Sequence, residues 1–166
     1  MESSQALALK SLLESQQVAS LATLHKEDPA VSMVPYALLP QGRGFVVHVS
    51  RLATHTADML ANPAVAVLVM APPGSAASPQ ELKRASVHGR ARQCASGSTE
   101  HSEARGLYLA RFPQSEEMFS FADFSLFIIE PRSVRFVGGF ARATSILAEE
   151  FSAIMSDPPD ESSDPL

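Results

Sequence analysis

The chain of 166 residues has a single cysteine, Cys94. One thiol makes neither an intrachain disulfide nor a multi-cysteine metal centre. No stretch approaches the ~18 uninterrupted apolar residues of a membrane span. The opening segment, MESSQALALK, lacks a basic region ahead of an apolar core, so it does not read as a secretory signal. A cytoplasmic protein with no membrane partner is therefore the expectation. Concentrated positive charge is missing too. The 13 Lys and Arg face 18 Asp and Glu, a formal charge of −5, and a general nucleic-acid binder needs clustered basic residues. Finally, His25, His48, His88 and His101 have no metal-ligand spacing with carboxylates or cysteines, so no metal site is expected.

What is present reads as one ordinary globular domain. Hydrophobic content is 45% and charged content 19%, and the length suffices to bury a core. Ala6, Leu9, Leu12 and Leu13 fall at helical spacing behind a Ser3 or Ser4 cap. Residues 18–24, 30–39 and 45–49 read as strands, with a turn at Asp28-Pro29 and a hairpin connection at 40–44. Pro35 lacks the N–H that a ladder needs, so the second strand is expected to be bulged or at an edge there. Thr54 is the expected N-cap of a short helix through Ala61, which Asn62-Pro63 ends. Ala64–Met70 is nearly all apolar, as for a strand buried on both faces. Arg84–Arg92 alternates, as for a half-exposed strand. A helix is expected over 99–110, stopped by Pro113. Two strands at 125–130 and 133–137 are expected to turn at Pro131, before a helix over 142–155. Residues 1–155 form the domain. The tail at 156–166 is acidic, Pro-rich and reads as disordered. Most connections are too short for helical crossovers, so the sheet is expected to be antiparallel, a small barrel with peripheral helices.

The segment His48–Met70 carries the chemistry. It sets Ser50, Arg51, His55 and Thr56 between a strand and a helix N-terminus. Orphan backbone N–H groups and the positive dipole end of that helix, joined by hydroxyls and a guanidinium, suit a phosphate. The plainer alternative stays open: the threonines cap the helix and Arg51 is solvated.

Five segments, ASLAT (19–23), SMVPYAL (32–38), HVSRLATHTADMLANP (48–63), RASVHGRAR (84–92) and FVGGFARA (136–143), occur in an order that resembles the FMN-binding split-barrel proteins related to pyridoxamine 5'-phosphate oxidase, and within them the haem iron utilisation branch. Together they run from Ala19 to Ala143. The resemblance implies a mainly β (α+β) fold, an FMN-binding split β-barrel with peripheral helices. It implies a homodimer with FMN in a groove between subunits, acting on a small-molecule substrate. Met33, Val34, Pro35 and Tyr36 would then edge the flavin ring, or Pro35 would only protect an edge strand. Arg84, with Ser86 on the same face, would set a cation beside the ring and raise its potential, or Arg84 would be a surface residue. Arg142 would reach cofactor phosphate or ring across the dimer, or belong to a strand-to-helix turn. Thr54 and His55 stand where the oxidases carry a basic pair. Arg111 and Ser115 are similar to the pair that grips substrate phosphate in the true oxidases, while the C-terminal basic and histidine motif of those enzymes is not visible. The leading reading is an FMN-dependent oxidoreductase with no named catalytic side chain. Haem binding or breakdown in iron utilisation, and a non-catalytic flavin-binding role, are the alternatives.

Overall fold

The computed structural model describes residues 1–140 and 142–156. Within them one antiparallel sheet holds eight strands, β1 (Val18–His25), β2 (Asp28–Pro35), β3 (Ala37–Leu39), β4 (Gly44–Ser50), β5 (Ala64–Met70), β6 (Arg84–Gln93), β7 (Phe124–Val137) and β8 (Ala143–Leu147). Four helices accompany them, α1 (Ser3–Ser15), α2 (Thr54–Ala61), α3 (Thr99–Arg111) and α4 (Ala148–Ser156). The spatial order is β2-β1-β5-β6-β7-β4-β3, with β8 on β7. The two ends of that order are consecutive in the chain, because β2 runs into β3 past Tyr36. This is the split barrel with peripheral helices that the sequence leads one to expect. No helix among the described residues is long and apolar enough to cross a membrane.

Alternation decides which side chains go in. Leu21, Val34, Phe45, Val47, Val67, Val87, Phe127 and Phe136 fill the barrel, joined by Leu9 and Leu13 of α1 and Phe151 of α4. A second apolar layer forms on the outside of β3, β4 and β7, where Ala104, Tyr108 and Phe112 cover Leu39, Val46 and Ile128. Burying such side chains is the main stabilising term, at about 1.5–3 kcal/mol each. The outer face of β2, β1, β5, β6, the second half of β7 and β8 has no helix in that layer. It is left exposed, and the candidate site lies on it.

Several local expectations change. Pro35 ends β2 rather than bulging a longer strand, and Tyr36 separates it from β3. Ala53, not Thr54, is the N-cap of α2, with no side-chain capping bond; Glu2 stands likewise before α1. β5 buries Val65, Val67 and Val69 only, its other face being half-buried or exposed. Pro131 does not turn the chain. β7 runs straight through it with a register slip opposite His88 and Gly89, a bulge being where a strand tolerates a missing N–H. Gly89 belongs to that bulge, since a Cβ there would lie 2.5 Å from the Glu130 carbonyl oxygen. Residues 143–147 are strand rather than helix, because the edge of β7 is open to them. Ser156 closes α4, and the rest of the expected tail lies outside the described residues.

Candidate functional site

The residues picked out by sequence fall into two groups. Ser50, Arg51, His55 and Thr56 gather where β4 enters α2. Met33, Arg84 and Ser86 lie on the exposed sheet face, with Arg142 beside them. Between the levels of Arg84 and Gln93 on β6 the strand rises roughly 30 Å, and Ser50 lies beyond the Gln93 level. One protomer therefore does not bring the two groups together.

The first group is closed on itself. The Ser50 hydroxyl donates to Asp123 Oδ2 at 2.5 Å and accepts from the Leu52 N–H at 3.1 Å. The Arg51 N–H donates to the Asp123 carbonyl at 2.7 Å, and its guanidinium to the Ala122 carbonyl at 3.1 Å. Thr56 is buried and donates to the Ser50 carbonyl at 2.7 Å. Burial pushes the His55 imidazole below its ordinary pKa, against the opposing pull of Asp58, so this ring favours its neutral form. Asp58 is buried; its own burial is outweighed by bonds from His25 Nδ1 and the Thr23 hydroxyl, both 2.8 Å, which hold the carboxyl below the usual range. Two carboxylates thus stand where phosphate chemistry asks for cations.

On the exposed face, register builds rows of outward side chains. One row runs Met33, Ser20, Leu68, Ser86, Arg135, Ser145, and the next Val31, Ala22, Ala66, His88, Ser133, Leu147. Val31, Met33 and Leu147 are 73%, 65% and 70% exposed. Arg84, Ser86, Arg135 and Arg142 line one groove of about 350 Å³, with Phe140 also in its wall and no acidic residue among the described residues that line it. Arg84 donates to the carbonyls of Leu82 at 3.0 Å and Gln80 at 3.3 Å. Arg135 reaches the Ser145 hydroxyl at 3.4 Å. Arg92, farther along β6, is paired with Glu100 and Glu130. Among the described residues Arg84, Arg135 and Arg142 have no carboxylate partner. Such charges attract an anion.

Val34 and Tyr36 face inward. The Tyr36 hydroxyl donates to the Leu13 carbonyl at 2.7 Å, and burial raises its pKa beyond the ordinary phenol. Pro35 is half-buried, which leaves Met33 as the outward member of that set. Arg111 is likewise structural. It donates to the carbonyls of Glu14 and Gln16 and lies over the Tyr36 ring, and Ser115 is buried. Sequence reasoning missed Arg135, His88 and Asp123. Arg135 joins Ser86 only through strand pairing. His88 shares the two-residue period of Arg84 and Ser86, a signal that was there to use. Asp123 has no local signal.

The pyridoxamine 5'-phosphate oxidase family profile matches residues 7–138, and the chain belongs to that family. It is 35% identical over 136 residues to the non-canonical heme oxygenase HOZ, chloroplastic, of Arabidopsis thaliana, an alignment covering 78% of this chain and 39% of that protein. Among solved structures, a heme binding protein from Mycobacterium smegmatis superposes with a TM-score of 0.82 at 28% identity, over 92% of this chain and 62% of its own. Campylobacter jejuni ChuZ superposes with a TM-score of 0.80 at 21% identity, over 90% and 61%, and shares the fold. The chain thus spans less than two thirds of each of these relatives, 39% to 62% of their length.

Proposed function

We propose that the chain binds haem on its exposed sheet face, as a homodimer, and serves haem utilisation. The observation that carries this reading is one groove whose three arginines have no carboxylate partner among the described residues, beside the outward imidazole of His88 and exposed apolar side chains of the same face. The donor set fits. Haem is a flat apolar body with two carboxylates and an iron that takes imidazole nitrogen. Arg84, Arg135 and Arg142 would hold the carboxylates, and His88 would offer the iron a ring nitrogen. Carbonyl bonds to Arg84 hold its fork in place before a ligand arrives, which lowers the ordering cost of binding. Two relatives above 25% identity bear haem in their names, which supports the assignment. Bound haem supplies one-electron and dioxygen chemistry. The exposed Val31 and Met33 at one edge of that face and Leu147 at the other support a second copy, since apolar side chains left in water favour association.

Flavin remains the competing ligand of this family, and the closed Ser50 cluster weighs against its phosphate. Titration of the purified protein with hemin, and separately with FMN, decides. A Soret band that survives gel filtration, weakened at least tenfold in affinity by the R84A/R135A double replacement, supports the reading. Retained yellow flavin with no Soret response overturns it.

A further inference from the structure

We infer that Asp123 is an internal anion occupying the phosphate seat before α2, and that it makes this chain indifferent to the phosphate of a flavin. The inference stands independently of the haem reading. It rests on where Ser50, Arg51, Leu52 and Thr56 direct their donors. Ser50 Oγ donates to the Asp123 carboxylate at 2.5 Å, and the Arg51 N–H to the carbonyl of the same residue at 2.7 Å. The Arg51 guanidinium takes the neighbouring Ala122 carbonyl at 3.1 Å. The Leu52 N–H is directed to Ser50 Oγ, and the Thr56 hydroxyl to the Ser50 carbonyl. One short segment before β7, residues 122–123, therefore takes the guanidinium, one hydroxyl and one main-chain donor.

An entering phosphate would have to break a short charge-assisted bond and then sit against the displaced carboxylate. Asp58, one turn into α2, adds a second negative charge, held ionised by His25 and Thr23. His25, half exposed, is engaged by that carboxylate. His55 is the other titratable group on this part of α2, and burial favours its neutral form. With Ser50 and Thr56 engaged and two carboxylates close by, the seat gains little from a phosphomonoester. FMN and riboflavin differ only by that group, so the protein should treat them alike.

The test is calorimetric titration of the full chain with FMN and with riboflavin. Wild type is expected to bind the two within about twofold of each other. D123S, which frees Ser50 and Arg51, is expected to favour FMN over riboflavin by about tenfold or more, the worth of one charge-assisted hydrogen bond. S50A/D123S is expected to lose most of that preference. D123N keeps the shape and removes the charge, so it decides the direction should D123S fail to fold. A wild-type preference for FMN of tenfold or more overturns the inference. So does an unchanged ratio in D123S and D123N, including no flavin bound by any variant. Hemin titrated into the same proteins separates the two claims: its failure would overturn the haem reading while the flavin ratios still judge Asp123.

Discussion

Leu147→Asp should split the proposed homodimer while leaving the protomer folded. Leu147 sits on β8, opposite Ser133, with 70% of its surface exposed. Full burial of a leucine is worth about 1.5–3 kcal/mol, so covering the exposed fraction in an interface is worth roughly 1–2 kcal/mol. A two-fold interface counts the loss twice, which gives about 2–4 kcal/mol, or roughly 30- to 1000-fold in dimer dissociation constant. A carboxylate facing apolar Val31 or Met33 of a second copy pushes towards the upper figure. Within the isolated protomer the same side chain is largely in water, so folding stability should move by only about 0.5 kcal/mol. Sedimentation velocity across a concentration series, with a thermal melt beside it, reads both quantities. A wild type that is monomeric at about 0.1 mM, or a variant that associates as tightly as wild type, would refute the reasoning.

His88→Ala should alter the Soret position of the hemin complex, with added imidazole restoring the wild-type spectrum; identical spectra would remove His88 as the iron's partner. Gly89→Ala should destabilise the fold by about 2–4 kcal/mol, since its Cβ would meet the Glu130 carbonyl oxygen at 2.5 Å, an obstacle that moves only with β7; a melt within a degree or two of wild type would contradict this. His48 is buried against Phe119, rings stacked 3.8 Å apart, and burial, with His101 nearby, lowers its pKa to about 4. The unfolded state thus takes up this proton first. Stability is full above about pH 6.5 and falls by up to about 3 kcal/mol as pH drops towards 4. Urea unfolding of wild type and His48→Phe at both ends of that window should show the extra loss in wild type alone.

The sequence was informative where one residue's neighbours decide its environment. The alternation in 84–92 predicts a strand with Arg84 and Ser86 on its exposed side, and the helical stripe of Leu9, Leu12 and Leu13 is buried as expected. It was misleading where the deciding partner is distant. Pro131 reads as a turn locally, yet β6 holds β7 extended through it, with β4 paired before it and β8 after it. Residues 143–147 carry no strong strand signal and become one because β7 offers an unpaired edge. The donors before α2 read as a phosphate seat, because nothing nearby announces that Asp123, far along the chain, returns to fill it. Ser86 and Arg135 form a pair only through register. What stayed hidden in the candidate site was therefore the set of contacts made by strand pairing and loop return.

At Pro35 and Tyr36 the two ends of the sheet are joined by a single residue of chain. The segment that leaves β1 is the one that must find β4, so any sliding of one seam drags the other with it. Tyr36 is fixed there by its bond to Leu13 and by Arg111, which also clasps the end of α1. The barrel consequently has a latch across its open seam. Loosening that one tyrosine should let β1 and β4, on opposite sides of the sheet order, exchange their amide hydrogens in a common opening event.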